Sequence, residues 1–242
     1  MKIAGLLAQR TADAFQHRPV TIACLGDSVT HGCFEVFINR HGNVDTRYAP
    51  NEGYVRRLQD RLFTLYPAAA VTVINCGISG DSSTGALNRF DRDVARFNPD
   101  LVIVDLGLND SMNKNVEEGI ANYDKSMREI FAKIQALGAE AVLLTPNYMC
   151  SYVDPSVPDG ILKEIAADAT KVQNEGILTR YVDAARKAAA DMNVPVADAY
   201  AVWQAMEKSG VDTTALLSNG INHPTAEMHD IFVSELMKVL LG

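Results

Sequence analysis

Runs of consecutive apolar residues and stretches with a helical repeat alternate along the chain. Five short runs are apolar at nearly every position: residues 20–25, 71–76, 101–106, 141–145 and 194–197. Continuous apolar character is typical of strands that are covered on both faces, whereas half-exposed strands alternate. The runs therefore predict five buried strands of a mostly parallel sheet.

The stretches between these runs repeat apolar residues every three or four positions, as amphipathic helices do. They cover residues 54–65, 120–137, 162–192 and 225–241. Gly138 is placed to end the second helix, Gly176 predicts a break in the third, and Pro224 suits the start of the fourth. The alternation of strand and helix, without a linker or an internal repeat, predicts a single α/β domain over residues 1–242, built as a doubly wound sandwich.

The segments that follow the strands meet at one edge of such a sheet, because right-handed crossovers bring the carboxyl ends of all strands to the same side. Two connections, residues 33–52 and 146–160, are longer than the others. Both follow strand ends, so we expect them to form walls of a substrate site at that edge.

Four residues at this edge have the chemistry of acyl transfer. They lie after successive strands and before the last helix: Ser28 in Gly-Asp-Ser, Gly77, Asn109 in Gly-Leu-Asn-Asp, and His223. A serine hydroxyl needs a base to take its proton, and imidazole titrates in the suitable range. We therefore predict Ser28 as the nucleophile and His223 as the general base.

The oxyanion that forms on an attacked carbonyl requires fixed hydrogen-bond donors. We predict three donors: the backbone N–H of Ser28, the backbone N–H of Gly77 and the side-chain amide of Asn109. Glycine at position 77 lets the backbone approach the substrate closely. Alternative interpretations are a plain helix cap at Ser28 and a flavodoxin-type binding module, although the chain has no Gly-x-Gly-x-x-Gly or Gly-Lys-Ser/Thr motif.

These four segments resemble the SGNH hydrolases, also called the GDSL-like lipase and esterase family. The blocks of that family are centred on Ser, Gly, Asn and His, and here they stand in the same order and span residues 26–224. The resemblance implies a flavodoxin-like, three-layer α/β/α fold. It also implies hydrolysis through an acyl-serine intermediate, without a metal or an organic cofactor.

One position departs from that family. An aspartate three residues before the catalytic histidine usually orients the imidazole, and this chain has Gly220 there. The side chain of Asn219 is the nearest candidate to orient the ring. A backbone carbonyl, or a carboxylate from elsewhere such as Asp198 or Glu227, would serve the same purpose. A protein that binds an acylated ligand without cleaving it is a further interpretation of this departure.

Composition and charge narrow the range of partners. Lys plus Arg is 22 and Asp plus Glu is 30, which gives a net charge of −8 and argues against nucleic acid or an anionic membrane as partner. No window has the roughly 20 apolar residues of a membrane span, and no clear signal peptide precedes the domain, so we expect a cytoplasmic protein. The four cysteines lack metal-ligand spacing, and we interpret Cys24 and Cys76 as buried strand thiols.

The composition of the two long connections, residues 33–52 and 146–160, indicates the kind of substrate. They mix polar and aromatic side chains, such as Asn39, Arg47 and Tyr152, and neither is an apolar lid. We therefore predict a serine esterase for short-chain carboxylic esters, in particular an O-acetyl esterase for acetylated sugars. An acyl-CoA thioesterase or lysophospholipase is the alternative within the same chemistry. A homo-oligomer is compatible with the sequence, which does not define its size.

Overall fold

The computed structural model describes all 242 residues. Its strands are β1 (Thr21–Gly26), β2 (Cys33–Ile38), β3 (Val44–Tyr48), β4 (Thr72–Gly77), β5 (Leu101–Asp105), β6 (Glu140–Leu144) and β7 (Val196–Ala197). Its α-helices are α1 (Lys2–Ala12), α2 (Ser28–His31), α3 (Tyr54–Leu65), α4 (Ser83–Asp93), α5 (Leu108–Ser111), α6 (Val116–Ala136), α7 (Ile161–Asn174), α8 (Ile177–Asp191), α9 (Ala199–Lys208) and α10 (His229–Leu241). Two short 3-10 turns cover Ala95–Phe97 and Thr214–Leu216.

Five of the strands form one parallel sheet in the order β4-β1-β5-β6-β7. The first strand of this sheet lies between the second and the third, which is the flavodoxin-like order. The order reverses between β1 and β5, and a crevice forms at such a switch point outside the carboxyl ends of the strands. The turns that carry Ser28 and Asn109 leave the sheet there.

Helices cover both faces of the sheet and produce three layers. One face packs beneath α1, α3, α9 and α10, where Trp203 and Phe232 are fully buried. The other face packs beneath α4, α6 and α8, where Phe90 and Phe131 are buried. Burial on both faces explains why the strands are apolar without alternation. The predicted doubly wound α/β fold with its five-stranded parallel sheet is confirmed.

The predicted helix boundaries agree with the structure in part. The helix predicted over residues 54–65 is α3. The predicted break falls at Gly176, whose left-handed φ of 70° separates α7 from α8. The last helix begins at His229 and not at residue 225, because Pro224 and Thr225 pair with the chain at Leu217 and Leu216 instead.

The long connection over residues 33–52 contains an element that the hydrophobic pattern did not reveal. Its residues form an antiparallel hairpin of β2 and β3, which is a separate two-stranded sheet. Strand β2 is apolar apart from Glu35, but its partner β3 is mostly polar, and most side chains of the hairpin are exposed or half-buried, unlike those of the main sheet. Helices α4 and α9 were not predicted either, because each buries few large apolar side chains.

None of the helices combines the length and the apolar character that a bilayer-spanning segment needs. The four cysteines are all buried and unpaired. Cys24 lies in β1 and Cys76 in β4, as the sequence predicted. Burial raises the pKa of Cys76 to about 11, so its thiol stays protonated in the neutral range.

Helix α2 packs on the end of β4 without room for a side chain at Gly77. A Cβ on Gly77 would lie 2.2 Å from the backbone nitrogen of His31 and 2.7 Å from its Cα. Backbone atoms of a packed helix cannot move aside as the end of a flexible side chain can. Gly77 is therefore required by the packing of α2 on the sheet.

We predict that Gly77→Ala lowers the free energy of unfolding by about 1–3 kcal/mol, because the added methyl group overpacks this contact. Gly5→Ala is the matched control, since a Cβ at Gly5 in α1 would have no neighbour within 4 Å. There we expect unchanged stability or a gain of up to about 1 kcal/mol. Urea unfolding of both variants, followed by circular dichroism, measures the difference, and equal stabilities would contradict the close packing.

Candidate active site

Ser28 is the first residue of α2 and follows β1 after a single residue. The side chain of that residue, Asp27, accepts a hydrogen bond from the Val29 N–H at 2.9 Å and so caps the short helix. Gly32, with a φ of 91°, ends the helix after one turn. This tight strand-to-helix turn holds the Ser28 side chain at the carboxyl edge of the sheet.

His223 faces Ser28 from the loop before α10. Its Nε2 lies 2.9 Å from Ser28 Oγ, although 195 positions separate the two residues. The loop is anchored by the Ser218 N–H, which donates to the His223 carbonyl at 2.8 Å, and by a bridge between Leu217 and Pro224. The structure thus brings the predicted nucleophile and the predicted base into hydrogen-bond contact.

The other ring nitrogen of His223 is held by a backbone carbonyl of the hairpin. Its Nδ1 lies 2.6 Å from the carbonyl oxygen of Phe34 in β2. A carbonyl oxygen only accepts, so we place the ring proton on Nδ1, which leaves Nε2 as an acceptor toward the Ser28 hydroxyl. This is the tautomer that a general base for Ser28 requires.

Burial determines the charge state of this imidazole. Burial lowers the pKa of His223 to about 4, and the Phe34 carbonyl and the Glu35 carboxylate oppose that shift only in part. The ring is therefore neutral, and able to accept a proton, throughout the neutral range.

Asn219 does not orient the ring, which corrects the sequence prediction. Its Oδ1 accepts hydrogen bonds from the backbone N–H groups of Ile221, Asn222 and His223, each at 2.9 Å. Its Nδ2 donates to the Asn222 side chain at 3.0 Å. Asparagine commonly satisfies the backbone of its own turn in this way. Asn219 therefore shapes the loop, while the Phe34 carbonyl holds the ring.

The two distant carboxylates that were considered for the same task lie elsewhere. Asp198 caps α9 and forms an ion pair with Arg186 at 2.8 Å. Glu227 is exposed. Neither is hydrogen-bonded to the ring of His223. The arrangement in this chain is a Ser–His pair that a backbone carbonyl orients.

Ser28 and Asn109 present two of the predicted oxyanion donors at this edge. The Ser28 N–H, at the start of α2, has no acceptor within the protein. The Asn109 amide in α5 donates to the Asp81 carbonyl at 2.8 Å, which fixes the side chain. Its other contact, to Asp27 Oδ2, is 3.5 Å long and therefore weak. Asn109 thus retains a hydrogen for an oxyanion.

Gly77 does not have the free donor that the sequence prediction assigned to it. Its N–H donates to Oδ1 of Asn75 at 2.9 Å. It also lines a surface depression that contains none of the other predicted site residues. The missing side chain of Gly77 serves the packing of α2 and not the binding of an oxyanion.

Gly80, three residues further on, has the unpaired N–H that Gly77 lacks. The other amides of its turn donate to acceptors within the protein: Ile78, Ser79 and Asp81. The Gly80 N–H has no such acceptor, its φ is 79°, and a Cβ there would meet nothing within 4 Å. The adjacent Asp81 carbonyl binds Asn109, which places this turn beside the other donors. The turn therefore favours Gly80 as the third donor.

A buried arginine joins the strand ends beneath these donors. Arg89 in α4 donates to the carbonyls of Gly26 and Cys76 at 2.9 and 2.7 Å, and it pairs with Asp81 at 2.6 Å. Full hydrogen bonding is what permits a guanidinium to be buried. Arg89 thus holds two turns of the site edge in place, a role that the hydrophobic pattern did not indicate.

Two buried carboxyl groups lie beneath the nucleophile turn. Burial, with a smaller contribution from neighbouring aspartates, raises the pKa of Asp27 to about 7. Burial together with Asp27 raises the pKa of Asp105 well above its usual range. Full ionisation of both groups would oppose the negative charge of an oxyanion above them. The raised pKa values favour the protonated forms of both groups and so weaken this repulsion.

Two further histidines near the site are engaged elsewhere. His31 Nδ1 accepts a hydrogen bond from the Ser79 N–H at 3.2 Å. His229 is fully buried, and its Nδ1 accepts from the Tyr54 N–H at 3.1 Å. No group of three or more His, Cys, Asp and Glu side chains is placed to hold a metal ion. His223 is thus the histidine that the geometry links to Ser28.

A doubly wound sheet with a hydrogen-bonded serine and histidine at its edge is an arrangement typical of serine hydrolases. The sequence profile of the GDSL-like Lipase/Acylhydrolase family matches residues 24–231, which include every segment of this site. The chain belongs to this family.

Two named relatives are similar to parts of the chain. Esterase TesA of Pseudomonas aeruginosa is 32% identical over 108 residues, which cover 43% of this chain and 51% of that protein. Acetylxylan esterase of Geobacillus stearothermophilus is 27% identical over 132 residues, which cover 52% of this chain and 58% of that protein. The matches thus span little more than half the length of these relatives.

Solved structures share the fold over nearly the whole chain. Acetylxylan esterase from Geobacillus stearothermophilus has a TM-score of 0.67 at 20% identity and covers 91% of this chain and 94% of its own. An alpha/beta hydrolase enzyme from the metagenome of Lake Arreo has a TM-score of 0.66 with the same identity and coverage. Catalytic mutants of the acetylxylan esterase replace a serine, a histidine and an aspartate three positions before that histidine. In this chain Gly220 stands at the corresponding distance from His223.

We predict that the acid limb of kcat/KM lies well below the usual range for histidine. A general base must be neutral in the free enzyme, and a pKa of about 4 keeps His223 neutral. Hydrolysis of p-nitrophenyl acetate should therefore not decrease between about pH 8 and about pH 5, and should fall below that. A limb centred near pH 6.5 would contradict a buried imidazole on a carbonyl.

Unfolding of the protein at low pH would also lower the rate and must be distinguished from protonation of His223. The pKa values of buried His223 and His229 are lowered to about 4 and about 3, so the unfolded chain binds protons that the folded chain does not. The free energy of unfolding therefore falls as the pH drops below about 6.5. Circular dichroism at each pH separates loss of structure from protonation of the base.

We predict that Asn109→Ala lowers kcat by about 10²- to 10³-fold, because the amide stabilises the oxyanion in the transition state. KM should change much less, since the ground-state carbonyl carries little charge. Asn115→Ala, which alters an exposed asparagine at the start of α6, is the matched control. Steady-state kinetics of both variants provide the measurement. Similar kcat values for Asn109→Ala and Asn115→Ala would exclude Asn109 as an oxyanion donor.

Proposed function

We propose that this chain is a serine esterase that hydrolyses short-chain carboxylic esters, and that O-acetylated sugars are its substrates. The observation that carries the proposal is the 2.9 Å contact between Ser28 Oγ and the unprotonated Nε2 of His223. It lies beside free donors for an oxyanion, which is the combination that acyl transfer needs. Membership of an acylhydrolase family agrees with this chemistry.

The first half of the reaction transfers the acyl group to the protein. His223 Nε2 takes the hydroxyl proton of Ser28 while Oγ attacks the ester carbonyl carbon. The carbonyl oxygen becomes an oxyanion, which the Ser28 N–H, the Asn109 amide and the Gly80 N–H stabilise. When this intermediate collapses, the bond to the alcohol oxygen breaks, and the alcohol leaves with the proton from His223.

The second half removes the acyl group with water. His223 takes a proton from a water molecule as its oxygen attacks the acyl carbon of the ester on Ser28. The same donors stabilise the second oxyanion. Its collapse breaks the bond to Oγ, releases the carboxylic acid and returns the proton to Ser28. The Phe34 carbonyl keeps Nδ1 protonated throughout, so Nε2 alternates as base and acid.

The leaving alcohol lies on the hairpin side of the site, because His223 must reach its oxygen. A depression of about 140 Å³ there has a mixed lining of His223, Asp45, Thr46, Tyr48, Ser79, Val36 and Val44. The Tyr48 ring is half exposed and offers an aromatic face. Hydroxyl groups beside an aromatic face suit a sugar ring, which has apolar faces and polar edges.

The acyl group lies on the other side of the site, past Asn109. A depression of about 340 Å³ there has Met112 as its one hydrophobic residue. The rest of its lining is polar or small: Ser82, Thr84, Asn109, Asp110, Asn113, Gly119 and Asn122. A long acyl chain would remove these amides and hydroxyls from water, which costs free energy. A short group such as acetyl leaves them hydrated.

The named relatives support the proposal in general terms. One is called an esterase and another an acetylxylan esterase, and both names describe those proteins. Their similarity to this chain agrees with ester cleavage, and the second agrees with an acetylated sugar as substrate. The polar lining past Asn109 and the mixed polar and aromatic lining beside His223 are the independent support for a short acyl group and a hydroxylated alcohol.

We predict that the purified chain hydrolyses p-nitrophenyl acetate and butyrate with a higher kcat/KM than octanoate. Ser28→Ala should lower the turnover by about 10⁴-fold or more, because the nucleophile is lost. Ser209→Ala, at the exposed end of α9, is the matched control and should keep the wild-type rate. Release of p-nitrophenol measures all three substrates in one assay.

Natural substrate classes are compared in a second assay. Acetate release from a peracetylated monosaccharide should exceed the hydrolysis of an acyl-CoA or a lysophospholipid at equal concentration. A preference for octanoate, for the acyl-CoA or for the lysophospholipid would overturn the short-chain assignment. A wild type that releases nothing faster than Ser28→Ala would overturn the esterase itself.

A further inference from the structure

The carbonyl that holds His223 belongs to an irregular part of the hairpin. The register of β2 against β3 shifts between residues 33 and 36. Phe34 and Glu35 of β2 therefore oppose a single residue of β3, Arg47. Such a β-bulge interrupts the ladder and turns backbone groups in a new direction. The bulge accordingly frees the Phe34 carbonyl for the imidazole.

Arg47 contacts both residues of the bulge. Its guanidinium donates two hydrogen bonds to the Glu35 carboxylate. Nη2 donates to Oε1 at 3.4 Å, and Nε donates to Oε2 at a shorter distance. Its Cζ lies 5.2 Å from the centre of the Phe34 ring, a cation–π distance. Nη1 also lies 3.4 Å from Glu52, in the segment before α3. One side chain thus spans the bulge and the body of the protein.

We propose that Arg47 is a positioning residue that keeps the bulge in shape, and with it the Phe34 carbonyl on Nδ1 of His223. This inference rests on the proposed function. Arg47 thereby supports the carbonyl that takes the place of an orienting aspartate. Arg47 itself does not line the depressions on either side of Ser28, whereas its neighbours Thr46 and Tyr48 line one of them, so a loss of kcat at unchanged KM distinguishes an effect on the imidazole from an effect on substrate contacts.

A competing explanation is that the charge of Glu35 assists His223 directly. It predicts that removal of Arg47 raises kcat, whereas a role of Arg47 in holding the bulge predicts that kcat falls. The Glu35 side chain is 50% exposed, so water screens its charge, and Arg47 neutralises it. If the bare carboxylate assisted His223 through space, removal of Arg47 would strengthen that assistance. If Arg47 holds the bulge, its removal weakens the site.

The kinetic test compares Arg47→Ala, Glu35→Gln and the double variant in the full chain with p-nitrophenyl acetate. We expect each single variant to lower kcat by about three- to tenfold at nearly unchanged KM, as loss of one exposed cation–π and ion-pair contact would do. The double variant should be no slower than the slower single variant, because all three disrupt the same contact set.

Two further variants complete the kinetic test. Arg47→Lys keeps the charge beside Glu35 but loses the planar contact with Phe34. Its kcat should therefore lie between those of Arg47→Ala and the wild type. Arg56→Ala removes an ion pair of similar exposure, that with Asp60 in α3, and should retain the wild-type kcat. Unfolding curves establish that every variant is folded at the assay temperature.

A spectroscopic readout does not require turnover. The Nδ1 proton of His223 is held on a carbonyl at 2.6 Å and should give a far-downfield resonance in proton NMR of protein with labelled histidine rings. We expect this resonance to broaden or move upfield in Arg47→Ala and to remain unchanged in Arg56→Ala.

The outcomes separate the explanations. A raised kcat in Arg47→Ala with a lowered kcat in Glu35→Gln would overturn the proposal in favour of the Glu35 charge. Kinetics and a resonance equal to those of Arg56→Ala would overturn it outright. If the wild type cleaves no ester, the proposed function fails, and the resonance alone decides whether Arg47 holds the ring.

Discussion

The hydrogen bond between Nδ1 of His223 and the Phe34 carbonyl is the contact on which the rest of the site depends. It sets the tautomer of the ring, and so leaves Nε2 free for the Ser28 hydroxyl. It also joins the last loop of the chain to the hairpin. A carbonyl offers a dipole and not a full charge, so the imidazolium that forms during catalysis receives less stabilisation than from a carboxylate. In the proposed reaction, fixed oxyanion donors would accordingly carry a larger share of the transition-state stabilisation.

The fold concentrates buried polar groups at the switch point of the sheet. Arg89 satisfies the carbonyls at two strand ends and the side chain of Asp81. The same Asp81 binds Asn109 through its carbonyl, so the donors and the strand ends form one hydrogen-bonded unit. A network of this kind is rigid when every member is satisfied. Its rigidity is what holds the oxyanion donors in place before a substrate binds.

The two wrong assignments at the site, Gly77 and Asn219, had a common origin, since each assigned a role by distance along the chain. Gly77 directly follows an apolar run, yet its N–H is used by Asn75 and the free donor is Gly80. The segment from residue 77 to 80 contains both glycines, and the pattern does not reveal which amide is paired. Asn219 lies four positions before His223, yet its side chain bonds to backbone N–H groups. Closeness in sequence says little about where a side chain of a turn points.

The sequence by itself determined the main sheet and its layers, because apolar runs are properties of consecutive residues. It also predicted that Ser28 and His223 lie together, because the carboxyl ends of parallel strands meet at one edge. Tertiary structure decided what orients the histidine. The Phe34 carbonyl is 189 positions from His223 and belongs to a mostly exposed hairpin outside the main sheet. Every residue has a backbone carbonyl, so no sequence pattern marks the one that a bulge turns toward an imidazole. Only the folded chain selects it.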